Sequence, residues 1–304
     1  MTATIQQFPI RKVEVDWRKS DLVDQLRHSR EASHNIRHRG RVHELPSRES
    51  LQLILKRLCC ALFPTHFGQA VFANDGIDFY VANRLQEALP AMAIQVQRSL
   101  QFDLADAQPS CNVSLRAEAI VDGFSARLPA IRNILVEDFR AAYRGDPAAE
   151  NVAEVVLAYR GSIAIIYHRL AHELYQRGVH FVARMISDLA LEHTGIDIHP
   201  GASIGEGFFI DHGSGVVIGQ TTIIGLNVRL YQGVTLGAKG FKSGPNGNLI
   251  KGEPRHPIVE DNVVIYAGAT ILGRITIGAG SVIGGNVWLV ESVAANSFIA
   301  QRLI

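Results

Sequence analysis

Long apolar runs, a surplus of one charge and metal-ligand spacing are all missing from this sequence. No stretch reaches the ~18 continuous apolar residues of a spanning helix. Met1 to Ile10 holds no apolar segment after a basic start, so no secretory leader is expected and a cytoplasmic location is the default. Formal net charge is +1 over 304 residues, which offers no bulk field for nucleic acid or an anionic membrane. Cysteine is scarce. Cys59 and Cys60 are adjacent and poorly placed to bridge each other, Cys111 stands apart, and no CxxC or Cys/His spacing appears. Buried free thiols and no structural metal are therefore expected. Hydrophobic residues make up 47% of the chain and charged ones 19%, ample for a real core in one or two domains.

Glycine is sparse before residue 195, where the apolar spacing is helical. Beyond it, glycine, valine and isoleucine dominate. Three segments are expected: an Arg/His-rich extension over 1–45, partly helical and poorly packed; a helical domain over 46–194; and a repeat domain over 195–304 with a loop insertion at 238–257. In the helical domain Leu51, Ile54, Leu58 and Leu62 form one face, with Ser47 as a cap and Glu49 in the first turn. The helix before Pro90 is expected to end or kink there. Two further helical stretches run through about Gly145 and from Glu150 to about Gly178. The second carries apolar residues on several faces and should be sandwiched in the bundle.

The last third repeats every six residues. Aliphatic or β-branched residues recur at Ile198, Ile204, Ile210, Val216, Thr222, Val228 and Val234, then at Val259, Ile265, Ile271, Ile277, Ile283 and Leu289, displaced by one residue across the loop. Neither an amphipathic helix nor an alternating hairpin has this period. A parallel β-helix does: each hexapeptide supplies a short strand and a corner, and the aliphatic residue stacks inward on its equivalent one coil away.

The segments DIHP, DHGSG and PRHP in this order, with GDPA upstream, resemble the serine acetyltransferases of cysteine biosynthesis over residues 145–288. The resemblance implies an α+β chain, with an N-terminal α-helical domain followed by a left-handed β-helix that trimerises and builds active sites between neighbouring prisms. Whether trimers pair further through the helical half is left open. It implies acetyl-CoA as co-substrate, L-serine as acceptor and inhibition by L-cysteine. A C-terminal isoleucine in the family can insert into O-acetylserine sulfhydrylase, and this sequence ends in Ile304, on a short tail. Docking through Ile304 and an accidental terminal residue both stay open.

Residue by residue, the match makes His212 the general base for the serine hydroxyl, worth ~10²–10⁴-fold. Asp197, fifteen residues earlier, becomes the carboxylate that orients the imidazole. Asp146 and Asp211 become candidates for the serine ammonium, with a helix N-cap as the structural alternative for Asp146. Arg255 and His256 are expected to face the carboxylate. Gly237, Ala238, Ala267 and Gly285, read as falling at matching positions, would let the donor's arm approach strand backbone closely. A backbone N–H near Gly237 or Ala238 would stabilise the thioester oxygen.

Some features depart from the family pattern. The loop from Lys239 to Glu253 is long, Tyr266 stands where glycine is common, and the C-terminal segment lacks the usual GVPAR. Three rivals remain: an acyltransferase for a sugar or another amino acid, a zinc enzyme using His199, His212 and His256, and a non-catalytic solenoid. Paired acidic and basic groups argue against a sugar, which offers neither ammonium nor carboxylate.

Overall fold

The computed structural model describes residues 21–32, 44–68, 76–103 and 112–301. Cys111, Ile304 and most of the expected extension lie outside them. Among the described residues eight helices precede the strands: α1 Asp21–Ala32, α2 Arg48–Leu62, α3 Pro64–Phe67, α4 Gly76–Asp103, α5 Val113–Gly145, α6 Val152–Ala158, α7 Arg160–Gln176 and α8 His180–Thr194. α1 leaves Leu22 and Leu26 about half exposed. Ser47 caps α2, its Oγ accepting the Ser50 N–H at 3.2 Å. The cysteines that can be described, Cys59 and Cys60, are free and buried, and burial pushes the Cys59 thiol up to about 12. Among the described residues no helix is long and apolar enough to cross a membrane.

Two helical expectations need correction. Of the two outcomes expected at Pro90, an end is excluded: α4 runs on to Asp103. Proline removes one backbone bond, and the buried Ala88, Met92 and Val96 hold both sides of it in the core. The stretch after Glu150 is not one helix either. It breaks at Tyr159, which adopts an extended backbone (φ −83, ψ 125) between α6 and α7.

Fourteen short strands follow: β1 Asp197–Ile198, β2 Ser203–Ile204, β3 Phe209–Ile210, β4 Val217–Ile218, β5 Ile223–Ile224, β6 Arg229–Leu230, β7 Thr235–Gly237, β8 Ile258–Val259, β9 Val264–Ile265, β10 Thr270–Leu272, β11 Thr276–Ile277, β12 Val282–Ile283, β13 Trp288–Leu289 and β14 Phe298–Ile299. They form three parallel sheets: β1-β4-β7-β10-β13 (sheet 1), β2-β5-β8-β11 (sheet 2) and β3-β6-β9-β12-β14 (sheet 3). From β1 to β13 the chain visits the sheets in that order, and before β14 only an isolated bridge from Val293 to Ile277 continues sheet 2; the result is a three-sided parallel β-helix.

The repeat phase also needs correction. Ile198, Ile204 and Ile210 pair with Ile218, Ile224 and Leu230, and Ile218 pairs with Leu236. Val216, Thr222, Val228 and Val234 are buried but sit two places earlier, at the inner corner. The phase slips because the corner between β3 and β4 holds two extra residues, which a strict six-residue count steps over.

One continuous hydrophobic core runs from Leu51 through Phe139, Ile166 and Ile186 to Ile210, Ile265 and Ile283, so helices and prism share it. A buried ion pair fastens the junction. Arg169 donates to Asp138 at 3.1–3.2 Å and to the carbonyls of Ile204 and Gly205, while Asp138 accepts the Phe208 N–H at 2.9 Å. Burial outweighs Arg169 and lifts Asp138 to about 6. Removing one partner of such a pair costs ~3–5 kcal/mol. The pair fixes the turn that leads into β3 and the candidate site.

Candidate active site

The two extra corner residues expose His212. Its backbone is left-handed (φ 57), and Gly213 and Gly215 follow at φ 84 and 76. A non-glycine residue in this region stores strain, which persists where surrounding structure holds it. Here the Gly215 N–H donates to the Gly195 carbonyl and the Val216 N–H to that of Gly213, closing the bulge. The imidazole is left 71% exposed, with Nδ1 3.9 Å from Oδ1 of Asp211.

Asp146 reaches the same place from the helical half. It closes α5 and does not cap α6, whose cap is Asn151. Its Oδ1 accepts the Ala148 N–H at 2.8 Å and its Oδ2 the Tyr159 hydroxyl at 2.5 Å. These two bonds, the tyrosine's first, hold the Asp146 carboxyl below its usual range, with Arg229 and His212 adding to the effect. Desolvation, then Asp146 itself, pushes the Tyr159 hydroxyl up, so it stays a donor. Asp146, Tyr159, Arg160, Asp211 and His212 line a cavity of ≈ 320 Å³.

Asp197 opens β1, and its N–H donates to the Val216 carbonyl at 2.9 Å, where the bulge rejoins the prism. Among the described residues no hydrogen bond joins its carboxylate to His212. The carboxylate facing the ring is that of Asp211.

Arg255 and His256 occupy a different corner, between sheets 1 and 2. Arg255 donates to Gln220 Oε1 at 2.8 Å, and His256 Nδ1 accepts the Thr221 N–H at 3.1 Å. That bond leaves Nε2 as the protonated donor of the neutral ring. Burial, and then the positive charge of Arg255, lowers His256 to about 4, and burial lowers neighbouring His199 likewise. The ring lies flat on Gly219, where any Cβ would collide with it. His199 and His256 thus share one corner and His212 stands at another.

The small residues divide in the same way. Ala267 and Gly285 lie on successive rungs at the corner between sheets 3 and 1, the corner of His212, whereas Gly237 pairs with Leu272 at the corner of Arg255. They do not fall at matching positions within one protomer, because Gly237 ends a strand of sheet 1 while Ala267 and Gly285 each follow a strand of sheet 3.

Two site residues escaped the sequence reading. Tyr159 was hidden inside what looked like a continuous helix. Arg229 was hidden by the phase slip; in the true register, Arg229 and Tyr231 flank inward Leu230 and point outward beside Asp211.

This combination of bulge, acidic pocket and basic corner can be set beside known proteins. Residues 256–290 match the bacterial transferase hexapeptide (six repeats) family model. A plasmid-borne serine acetyltransferase of Synechococcus elongatus is 51% identical over 265 residues, 86% of this chain and 83% of that one. The chain belongs to the serine acetyltransferase family. It is an acyltransferase. A Bacillus subtilis serine acetyltransferase is 48% identical over 160 residues, covering 53% of this chain and 70% of its own. Among solved structures, Entamoeba histolytica serine acetyltransferase 1 in complex with L-cysteine superposes with a TM-score of 0.72 at 36% identity, over 85% of this chain and 88% of the other. The Neisseria gonorrhoeae serine acetyltransferase in complex with serine gives 0.54 at 28% identity, over 83% and 95%.

Proposed function

We propose that this chain transfers the acetyl group of acetyl-CoA to the hydroxyl of L-serine, giving O-acetyl-L-serine and free CoA, with His212 as general base. Asp146 and Asp211 bind the ammonium, and Arg255 and His256 bind the carboxylate. The carrying observation is the division of these residues between two corners of the prism. Asp146, Asp211 and His212 stand at one corner with Ala267 and Gly285; Arg255 and His256 stand at the other with Gly237 and Ala238; the third corner carries no candidate. Such a split makes a complete site when the first corner of one prism meets the second corner of a neighbour, which a cyclic homotrimer provides three times over.

In that cleft the imidazole takes the hydroxyl proton as the serine oxygen attacks the thioester carbon. The oxyanion is stabilised by backbone N–H groups beside Gly237 or Ala238. Collapse breaks the carbon–sulfur bond, and the imidazolium returns its proton to the departing CoA sulfur. Transfer is direct: the sequence segments that carry the site residues contain no cysteine to hold the acetyl group. Asp197 is the orienting carboxylate on the strength of the sequence resemblance, since among the described residues no hydrogen bond joins it to His212. L-Cysteine, close in shape to serine, occupies the same pocket and inhibits. Relatives solved with serine and with L-cysteine support an amino-acid pocket.

The test is thiol release from acetyl-CoA with L-serine, L-homoserine and a sugar as acceptors. Release with L-serine well above the other two is expected. Equal or greater release with the sugar overturns the reading.

A further inference from the structure

Arg229 has no role in the scheme above, yet it stands in its middle. It sits in β6, one rung below β3, on the outer face of sheet 3. Its guanidinium carbon is 4.9 Å from the Phe209 ring centre and 5.1 Å from that of Tyr231, so a planar cation is held against two π faces. Tyr231 is backed in turn by Tyr266, stacked at 4.9 Å with 12° between ring planes. This accounts for a tyrosine where the family pattern has glycine. Gly145 makes room for the stack: a Cβ there would come 3.0 Å from the Phe209 ring and 3.1 Å from Arg229 Nη2.

The clamped guanidinium faces the acidic pocket. Nη2 is 3.9 Å from Oδ2 of Asp211, whose other oxygen is 3.9 Å from His212 Nδ1. One carboxylate therefore faces the cation with one oxygen and the imidazole with the other. The same cation helps hold Asp146 ionised. The Arg229 Nε is buried and donates to no protein group, so contact with the rings and the aspartates locates the side chain. Charge balance gives the arrangement a purpose. Asp146 and Asp211 put two carboxylates beside His212, and Arg229 offsets part of that negative charge from behind Asp211.

We propose that Arg229, clamped by Phe209 and Tyr231, is a positioning residue that fixes the Asp211 carboxylate and offsets negative charge beside His212. This rests on reading Asp146 and Asp211 as the ammonium clamp. The charged and titratable groups beside His212 are Asp146 from the end of α5, Tyr159 and Arg160 at the start of α7, and Asp211 from the corner after β3, with Arg229 and Tyr231 of the neighbouring rung behind Asp211.

The test follows the ring signals of the full-length protein through a pH titration by NMR, with the His212 signal assigned by its loss in His212→Asn. Taking away a neighbouring cation favours the imidazolium, so in Arg229→Met the His212 midpoint should rise by about 0.5–1 pH unit. Arg229→Lys keeps the charge and should leave the midpoint in place. A flexible ammonium cannot be clamped like a planar fork, so the KM for L-serine in Arg229→Lys should rise about 3–10-fold with kcat less affected. An unmoved midpoint in Arg229→Met, or a wild-type KM in Arg229→Lys, overturns the proposal. Should Arg229→Met not fold, the lysine variant decides alone. If the wild type released no thiol with L-serine, the function would fall, while the ring titration would still judge Arg229.

Discussion

Ile218 lies in register with Ile198, twenty residues before it, whereas Leu289 lies in register with Ile271, eighteen residues before it. The first coil is therefore two residues longer than a regular one, and the extra length is the bulge that carries His212. A regular corner would keep the backbone close to the prism. The bulge lifts the ring out, with glycines at 213 and 215 absorbing the left-handed turns.

His212→Ala should lower kcat by about 10²–10⁴-fold with little change in thermal stability, since the ring is mostly exposed and contributes no core packing. Comparing Asp197→Asn with Asp211→Asn separates two carboxylates. An orienting Asp197 should act on kcat, and an ammonium-binding Asp211 mainly on the KM for serine. Steady-state kinetics on folded variants checks both. A kcat for Asp197→Asn equal to wild type would remove Asp197 from the mechanism.

The two-corner division predicts complementation. His212→Ala and Arg255→Ala should each be inactive alone. Mixed by co-expression, they should recover about a quarter of wild-type activity, because every mixed trimer contains one junction with both residues intact. Activity no higher than that of the single variants, in demonstrably mixed trimers, would place the complete site inside one protomer.

Gly219→Ala tests the seat of His256. The new methyl group would collide with the face of the imidazole at Cδ2 and Nε2, and a flexible side chain yields before backbone does. The ring should shift off Gly219 and raise the KM for L-serine by about 10-fold or more, with the melting temperature nearly unchanged. Unaltered kinetics would show that His256 makes no contact with the acceptor.

Acid should destabilise the fold through its histidines. Burial holds His168 well below the ordinary 6.5 and lowers His199 and His256 to about 4. Each binds its proton more readily when unfolded, so the stability it confers is complete above pH 6.5 and is lost as pH falls towards 4. Melting temperature should decline across that window, and less steeply in His256→Gln. A flat profile from pH 6.5 to 4 would contradict this.

Much of this was legible in the chain itself. A six-residue recurrence has one packing solution, because a triangular coil alone returns an aliphatic side chain to the interior at every third of a turn. The helical half announced itself through Leu51, Ile54, Leu58 and Leu62 and the Ser47 cap, and the DIHP, DHGSG and PRHP segments marked the family. These features are local: spacing and residue type decide them. Tertiary structure decided the rest. Whether Pro90 ends its helix depends on what packs against both sides of it. The break at Tyr159 matters because it delivers a hydroxyl to Asp146, thirteen residues back and on the far side of a turn. The bulge around His212 shows only in the pairing of Ile198 with Ile218, since two added residues leave the composition unchanged while moving every later strand in phase. The grip of Phe209 and Tyr231 on Arg229, and the separation of His212 from Arg255, follow from which rung and which corner each residue reaches, and only the closed coil sets that.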